Sequence, residues 1–400
     1  MKLKLYRQDC RDAMAAMPEA SVDAIVTDPP YGIDFMGRGW DHGVPGRTFW
    51  SAALRVAKPG AFMFAFGGTR LFHRMTCAIE DAGWEIRDVA SWMYGSGFPK
   101  SLDVSKAIDK AAGVERAASG AAYSVPNAKA VNPHFVAIDR TRVGVEPETQ
   151  YQPTAPATPL AQQFDGYGSA LKPAWEPVVV AMKPLDGTFA ENAARHGLAG
   201  LNIDAGRVGT EKTITRHTRK AHNTGAGWHP EATGEKTENA GRWPANVALD
   251  EEAAAELDSS ANKTTSRRGV LTSKPGDVYG SGAGLPSHSG VYGFNDSGGP
   301  SRFFYSAKAG KRDREYVDKD GVLQQSDHPT VKPVELMRWL VRMATPPRSN
   351  TVILDPFTGS GSTGVACALE GVGRFVGCEK VPHFADIAEA RIRAAIEGQE

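Results

Sequence analysis

Metal clusters and disulfide frameworks are the first things the sequence leaves out. Its 400 residues hold four cysteines, Cys10, Cys77, Cys367 and Cys378, and no two stand in C-x-x-C spacing. That argues against a zinc cluster and against a stapled secreted fold, so no metal is expected and a reducing compartment fits best. An excess of either charge is also missing, since Lys+Arg 46 balance Asp+Glu 46. With no global positive field, a nucleic-acid partner would have to be met by locally gathered basic residues. Long apolar runs are absent too. The start, Met1-Lys-Leu-Lys-Leu-Tyr6, carries none, and no later stretch is long enough to cross a bilayer. The expectation is a soluble cytoplasmic protein with no membrane partner. No internal repeat is evident.

What is present is an α/β pattern at both ends of the chain, with glycine and proline crowding the middle. Leu3 and Leu5 alternate with lysines, predicting a short strand that leads to Asp9-Cys10; a short helix follows, limited by Pro18. Val22 to Thr27 reads as a buried strand running directly into Asp28-Pro29-Pro30-Tyr31-Gly32. Two prolines cannot continue a sheet ladder, so the strand stops and presents Asp28 and Tyr31 at its carboxyl end. Open α/β sheets place their ligands at that edge. Gly37 to Thr48 predicts a mobile loop beside it. Strands over Ala61–Phe66 and Trp84–Trp92 flank a helix with Leu71, Met75, Ala78, Ile79 and Ala82 on one face. No glycine-rich phosphate loop follows the first strand.

From about Ala111 to Gly168 the composition turns to Ala, Pro, Ser and Thr without period, predicting a poorly ordered insertion or flexible cover. Val178–Ala181 returns as a strand, and Gly187 to Gly299 reads as irregular with basic clusters. After His328-Pro-Thr-Val-Lys-Pro333, the residues Val334, Met337, Leu340, Val341 and Ala344 share a helical face. Then the chain reads Thr351-Val-Ile-Leu-Asp355-Pro-Phe-Thr-Gly-Ser-Gly361-Ser-Thr-Gly364. An apolar strand ends in Asp355, glycines in G-x-G-x-x-G spacing open a helix, and a second strand, Arg374–Cys378, leads to Glu379. This context suits a nucleotide-like ligand held by backbone amides, with an acid for ribose hydroxyls. A final amphipathic helix carries Phe384, Ile387, Ala388, Ile392 and Ile396.

Only 21 residues follow Glu379, too few to supply the strands that such a unit needs beside it. The neighbours of the Thr351 strand must therefore come from the N-terminal strands. The expected fold is α/β, a permuted Rossmann-like sheet with helices on both faces, in which the Asp28 and Asp355 loops meet at one carboxyl edge.

Asp28-Pro-Pro-Tyr31 early, Asp355-Pro-Phe-Thr-Gly-Ser-Gly361 late and His328-Pro-Thr-Val-Lys-Pro333 just before it resemble the beta-type amino-methyltransferases of DNA. Lys172-Pro-Ala-Trp-Glu-Pro177 resembles such enzymes from phages and prophages, which would place the protein in a bacterial or phage-infected cell. The resemblance covers roughly the first hundred residues and the last eighty. It implies S-adenosylmethionine as cofactor, double-stranded DNA as substrate, and five regions: 1–110 as catalytic half, 111–170 as insertion, 171–186 as return strand, 187–325 as target-recognition region and 326–400 as cofactor half. A homodimer and a nuclease partner are left open.

The resemblance also implies roles for individual residues. Asp28 and the Pro29 carbonyl would accept hydrogen bonds from a base amine, Pro30 would help fix them, and Tyr31 would stack on the flipped base. Asp355, Pro356, Phe357, Gly359 and Gly361 would line the methionine end of the cofactor. Glu379 would take its ribose, Asp9 and Cys10 its adenine edge, and Thr330 or Lys332 its carboxylate. For DNA, Lys212, Arg216, Arg219 and Lys220 form one basic group, and Lys263, Arg267, Arg268 and Lys274 a second; Arg302, Lys308, Lys311, Arg312 and Arg314 form a third, diluted by acids. No cysteine follows a proline, unlike the Pro-Cys nucleophile of the different family that methylates pyrimidine carbon-5, so that reaction is disfavoured. In the family it resembles, Asp at the first tetrad position is more usual for adenine N6, so adenine is expected; cytosine N4 is the alternative. A nicotinamide oxidoreductase would use the glycines and Glu379 but leave Asp28 to Tyr31 idle. A DNA-binding protein with an inactive methyltransferase fold is the non-enzymatic reading.

Overall fold

A computed structural model describes residues 1–398 apart from 33–42, 96, 98–100, 126–148, 224–227, 267–268, 273–288, 293–295, 308–309, 319 and 329. Part of the loop expected over Gly37 to Thr48, most of the expected insertion, and Arg267, Arg268, Lys274 and Lys308 therefore lie outside the described residues. Two compact units are found, Met1–Met93 with Glu176–Glu400, and Tyr94–Trp175.

The larger unit is built on one sheet of nine strands: β1 (Lys2–Tyr6), β2 (Val22–Thr27), β3 (Ala57–Phe66), β4 (Glu85–Met93), β5 (Trp175–Met182), β6 (Val247–Asp250), β7 (Tyr305–Ala307), β8 (Val352–Asp355) and β9 (Arg374–Cys378), in spatial order β1-β9-β8-β2-β3-β5-β4-β6-β7. The last two strands of the chain thus sit between its first two, as a permuted sheet requires. β8 runs parallel to β2, with Ile353 opposite Ala24, and parallel to β9, with Asp355 opposite Gly377. β5 runs antiparallel to β3, with Val178 opposite Phe66. Antiparallel entry brings the beginning of β5 to the edge where β3 ends.

Alternation along β3 divides the core between two faces. Phe62, Phe64 and Phe66 pack with the helices α8 (Val334–Ala344), α9 (Ser362–Leu369) and α10 (Pro382–Glu397). Ala61, Met63 and Ala65 pack with α1 (Cys10–Ala15), α2 (Arg47–Val56) and α3 (Phe72–Asp81). Each large side chain so buried contributes roughly 1.5–3 kcal/mol. Asp23, 1% exposed, ties the far end of the sheet by accepting from Lys58, Arg348 and the Val352 amide.

Three findings depart from the sequence reading. First, the stretch read as irregular from Gly187 to Gly299 supplies α6 (Phe189–His196), opened by a capping box between Thr188 and Glu191, α7 (Glu251–Ser259) and strand β6, with β7 following it at the sheet edge. It also supplies the long antiparallel hairpin Val208–Asn223 with Trp228–Arg242. Second, α8 is buried beyond its one predicted face: Trp339 donates to Gly206 O at 3.0 Å and stacks on Tyr305 with ring centroids 4.8 Å apart. Third, the stretch from Ala111 to Gly168 is expected to be poorly ordered, yet the unit that contains it, Tyr94–Trp175, holds regular structure among its described residues. Its helices α4 (Val104–Ala111) and α5 (Pro159–Gln163) are joined through buried Asp109, which accepts from Ala157 N, from Thr158 N and from Thr158 Oγ1, and pairs with Arg116.

Candidate active site

Five parallel strands, β1, β9, β8, β2 and β3, end along one edge of the sheet. The segments leaving them carry, in spatial order, Asp9, Glu379, Asp355 with the glycine loop, Asp28 with Tyr31, and Gly67-Gly68. The Asp28 and Asp355 loops are directly joined, since Thr27 Oγ1 donates to Asp355 Oδ1 at 2.6 Å.

Asp28 is held by both oxygens. Tyr31 Oη lies 2.9 Å from Asp28 Oδ1, and Lys332 Nζ donates to Asp28 Oδ2 at 2.6 Å. Glu176, at the start of β5, joins them: its Oε2 is 2.9 Å from Tyr31 Oη and 3.3 Å from Lys332 Nζ. The Lys332 side chain is 7% exposed, and its ammonium lies 5.4 Å from the Tyr31 ring centroid and 5.1 Å from that of Phe66. Burial opposes charge on Lys332, yet the adjacent Asp28 and Glu176 hold its pKa above the ordinary lysine value. Burial raises the Glu176 carboxyl and, with both carboxylates near, raises the Tyr31 phenol well above its usual range. Gly68 makes room for the ring. A Cβ there would lie 3.1 Å from Tyr31 Cβ and Cδ2.

Beside this cluster, the glycine loop turns tightly, with φ of +51° at Gly359 and +87° at Gly361. A Cβ on Gly359 would meet His328 Nε2 at 2.9 Å, so the imidazole lies against the loop. Burial pushes His328 down to about 4 and keeps it neutral near pH 7. Gly364 has a packing role: a Cβ there would lie 2.3 Å from Ile392 Cδ1 on α10. Asp355 is 2% exposed and burial raises its carboxyl to about 6, against hydrogen bonds from Thr27, Thr363 and the Phe357 amide. Glu379 spans the next gap, accepting from Gly359 N at 2.9 Å and Val381 N at 2.8 Å.

At the β1 side, Asp9 caps α1 by accepting from Arg11 N at 2.9 Å and also pairs with the Arg11 guanidinium. That pairing holds its carboxyl low. Arg11 lies 4.6 Å over the Phe49 ring, and Phe49 stands 5.9 Å from the Phe357 ring. These groups form an aromatic and charged corner along the same edge.

The family model described as DNA methylase (N6_N4_Mtase) matches residues 160–390, more than half of the chain. The chain belongs to the DNA methylase family. It is 42% identical over 67 residues to YubD of Escherichia coli (strain K12), named as a methylase, and 39% identical over 70 residues to the type II methyltransferase M2.DpnII of Streptococcus pneumoniae. Those stretches are 17% and 18% of this chain, and 28% and 25% of the relatives' own lengths. The chain thus spans about a quarter of the length of the curated relatives it matches. Among solved structures it resembles M1.HpyAVI in its SAM complex, at 13% identity and a TM-score of 0.38, with 98% of this chain and 99% of that one covered. It also resembles the PvuII cytosine-N4-specific DNA methyltransferase, at 12% identity and 0.42, with 99% and 92% covered. Both likenesses are too distant to bear on site or substrate.

In this methylase-family chain, the sequence-predicted residues fall into three groups. Asp28, Pro29, Pro30, Tyr31, Asp355, Pro356, Phe357, Gly359, Gly361, Glu379 and Asp9 follow the carboxyl ends of adjacent parallel strands. Lys332 pairs with Asp28 and Glu176, and Thr330 is exposed two residues beyond His328. Cys10 is buried in the core under α1, where burial pushes its thiol up to about 12; only its backbone is available to a ligand. The third group is basic. Lys212, Arg216, Arg219 and Lys220 lie on the first arm of the long hairpin, with Arg216 opposite Lys236 and Arg219 opposite Glu231 in register. Arg302 instead braces the fold, donating to Gly298 O, Gly299 O and Thr264 Oγ1, and Arg314 donates to His328 O. Sequence reasoning missed Glu176, Arg11 and Phe49. For Glu176 a signal existed, its place in Lys172-Pro-Ala-Trp-Glu-Pro177. For Arg11 and Phe49 there was none. Among the described residues, no three His, Cys, Asp or Glu side chains gather as a metal site, and no helix is long and apolar enough to cross a membrane.

Proposed function

We propose that this protein transfers a methyl group from S-adenosylmethionine to the exocyclic amine of a flipped base in double-stranded DNA, adenine N6 in preference to cytosine N4. The observation that carries the reading is the joining of the Asp28 loop to the Asp355 glycine loop through Thr27 and Asp355 at 2.6 Å. A hydrogen-bond acceptor for an amine and a cradle for a nucleotide-like donor thereby share one sheet edge.

The residues present suit that donor. Tight turns at Gly359 and Gly361 allow close backbone approach. Asp355 and Glu379 supply negative charge and acceptors for a cationic, hydroxyl-bearing ligand, and Phe357, Phe49, Asp9 and Arg11 offer stacking and polar edges for adenine. When bound, S-adenosylmethionine supplies an electrophilic methyl group on sulfonium sulfur. Thr330 is a candidate for its carboxylate; the Lys332 ammonium is given to Asp28.

An exocyclic amine is a poor nucleophile because its lone pair is delocalised into the ring. Hydrogen bonds accepted by Asp28 and the Pro29 carbonyl favour a more tetrahedral nitrogen and free that lone pair. The prolines and Lys332 fix those acceptors before the base arrives, so little reorganisation remains. Stacking on Tyr31 is worth about 1–3 kcal/mol, comparable to the cost of unstacking a base. Support for adenine comes from the resemblance, in which Asp at the first tetrad position accompanies adenine more often than cytosine. Residues 1–110 and 326–400 then act as catalytic and cofactor halves, 171–186 as the return strand, 187–325 as target recognition and 111–170 as an insertion.

Incubating the protein with methyl-labelled S-adenosylmethionine and mixed-sequence DNA, then digesting to nucleosides, tests the reading. N6-methyladenine is the expected product; N4-methylcytosine would overturn the base assignment. No transfer together with tight nicotinamide binding would overturn the class. Asp28→Ala should lower transfer at least about a hundredfold with cofactor affinity nearly intact. Loss of cofactor binding instead would contradict the assigned role.

A further inference from the structure

We propose that Glu176 is a proton-holding positioning residue of this site: as a neutral acid it donates to Tyr31 Oη, so that the single phenolic hydrogen is committed to Asp28. The proposal rests on the methyl-transfer reading for its effect on rate, and on the geometry of four side chains for the proton itself.

Tyr31 Oη stands 2.9 Å from Asp28 Oδ1 and 2.9 Å from Glu176 Oε2. A phenol has one hydrogen to give. With both carboxylates ionised, one of these two short contacts would set lone pair against lone pair. The charges point the same way, because Asp28, Glu176 and Lys332 together would leave one uncompensated negative charge in a poorly solvated place. One added proton resolves both problems. It belongs on Glu176, since the ammonium that favours the ionised form is 2.6 Å from Asp28 Oδ2 but 3.3 Å from Glu176 Oε2. Burial likewise disfavours charge on Glu176 and raises its carboxyl. The groups facing Glu176 are Asp28 and Tyr31 from the segment after β2, and Lys332 from the segment before α8. His328, neutral near pH 7, brings no competing charge.

The resulting chain runs from Glu176 to Tyr31 to Asp28, with Lys332 on the other Asp28 oxygen. Both carboxylate oxygens are then fixed, each with acceptor capacity left for an amine, and the Tyr31 ring is fixed at its hydroxyl. Ionised Glu176 would draw the phenolic hydrogen away from Asp28 and loosen it. Because the neutral form is the competent one, this contribution is present below the raised Glu176 pKa and lost as pH rises through it. The antiparallel direction of β5 makes the chain feasible, by bringing a residue at the start of a strand to the edge where β2 and β3 end.

Glu176→Gln and Glu176→Ala, assayed beside the wild type for kcat and KM across pH and for S-adenosylmethionine affinity, test the proposal. Gln donates an amide hydrogen at every pH, so E176Q should keep kcat near pH 7 within a few-fold and lose the alkaline decline of the wild type. E176A should lower kcat about tenfold or more, with cofactor affinity and melting temperature little changed. Equal loss in E176Q and E176A, or identical pH profiles for E176Q and wild type, would overturn it. Carboxyl-labelled glutamate NMR on the ligand-free protein gives an independent readout. A glutamate signal titrating above the ordinary range should be lost in E176Q, while that of Glu379, which burial also raises, stays. No such signal overturns the proton placement, whereas its presence without methyl transfer overturns the parent reading and the catalytic effect while leaving the placement standing.

Discussion

Asp355 is ionised near pH 7 at a cost to the fold. It is 2% exposed, and burial raises its carboxyl to about 6 from an ordinary value of 3.8, more than the hydrogen bonds from Thr27, Thr363 and Phe357 recover. A carboxyl whose folded value is raised stabilises the fold fully below the unfolded value, and that stability is lost as pH rises through about 6. At one pKa unit per about 1.4 kcal/mol, the neutral Asp355→Asn should gain about 1–2 kcal/mol at pH 7, part of the benefit being lost with an acceptor. The same change removes the counter-charge for a cationic donor, so S-adenosylmethionine affinity should fall at least about tenfold, since each 1.4 kcal/mol is a factor of ten. Urea denaturation at pH 7 and pH 4 checks the first expectation, with the advantage of Asn shrinking at pH 4. A variant less stable than wild type at pH 7 would show that the buried charge is a net gain. Asp355 thus differs from Asp28, whose charge is matched at 2.6 Å by Lys332.

Glycines around α9 separate shape needed for packing from shape needed for turning. Gly361 has φ of +87° and a Cβ there would lie 2.9 Å from Ala388 Cα, a backbone atom of α10 that cannot yield. Gly371 has φ of +67° with nothing within 4 Å of a Cβ. Gly371→Ala should cost about 1–2 kcal/mol, the left-handed penalty alone, with cofactor binding unchanged. Gly361→Ala should cost more and also weaken S-adenosylmethionine binding. Thermal melts with calorimetric titration distinguish them, and equal loss of affinity in both would contradict the assignment of Gly361 to the cradle. This loop was legible in the sequence because strand, glycines and helix are consecutive, as were β2, β9 and α8, whose periodic or apolar runs end at sharp punctuation. β6 and β7 were not, because four and three residues give no period to read. The capping box of Thr188 and Glu191 was readable and signals α6. The site itself was half legible. Asp28 and Asp355 could be brought together by the demand of a lone strand unit for neighbours. Glu176 meets Tyr31 only because β5 turns back antiparallel, and strand direction leaves no mark on composition.

Across the whole molecule, 46 basic against 46 acidic residues leave no net field to draw in the proposed DNA substrate. Any footprint must be local, and the fold narrows where it can be. Arg302 and Arg314 hold backbone carbonyls, which removes them from the basic group around residues 302–314. Besides Lys308, Lys311 and Arg312 of that group, there remain the hairpin arm with Lys212, Arg216, Arg219 and Lys220, and the group containing Lys263, Arg267 and Arg268, a run without an intervening acid. Each phosphate neutralised by a cation releases counterions and contributes about 0.9 to the slope of log affinity against log salt. If Arg267 and Arg268 each meet a phosphate, Arg267→Ala with Arg268→Ala should flatten that slope by about 1.8. Affinity should drop most at low salt and converge with wild type as salt rises, while S-adenosylmethionine binding stays unchanged. Fluorescence anisotropy with a labelled duplex over a salt series measures both quantities. An unchanged slope would take the pair out of the footprint and move the test to the hairpin arm, where alanine at Arg216 and Arg219 should then produce the same flattening.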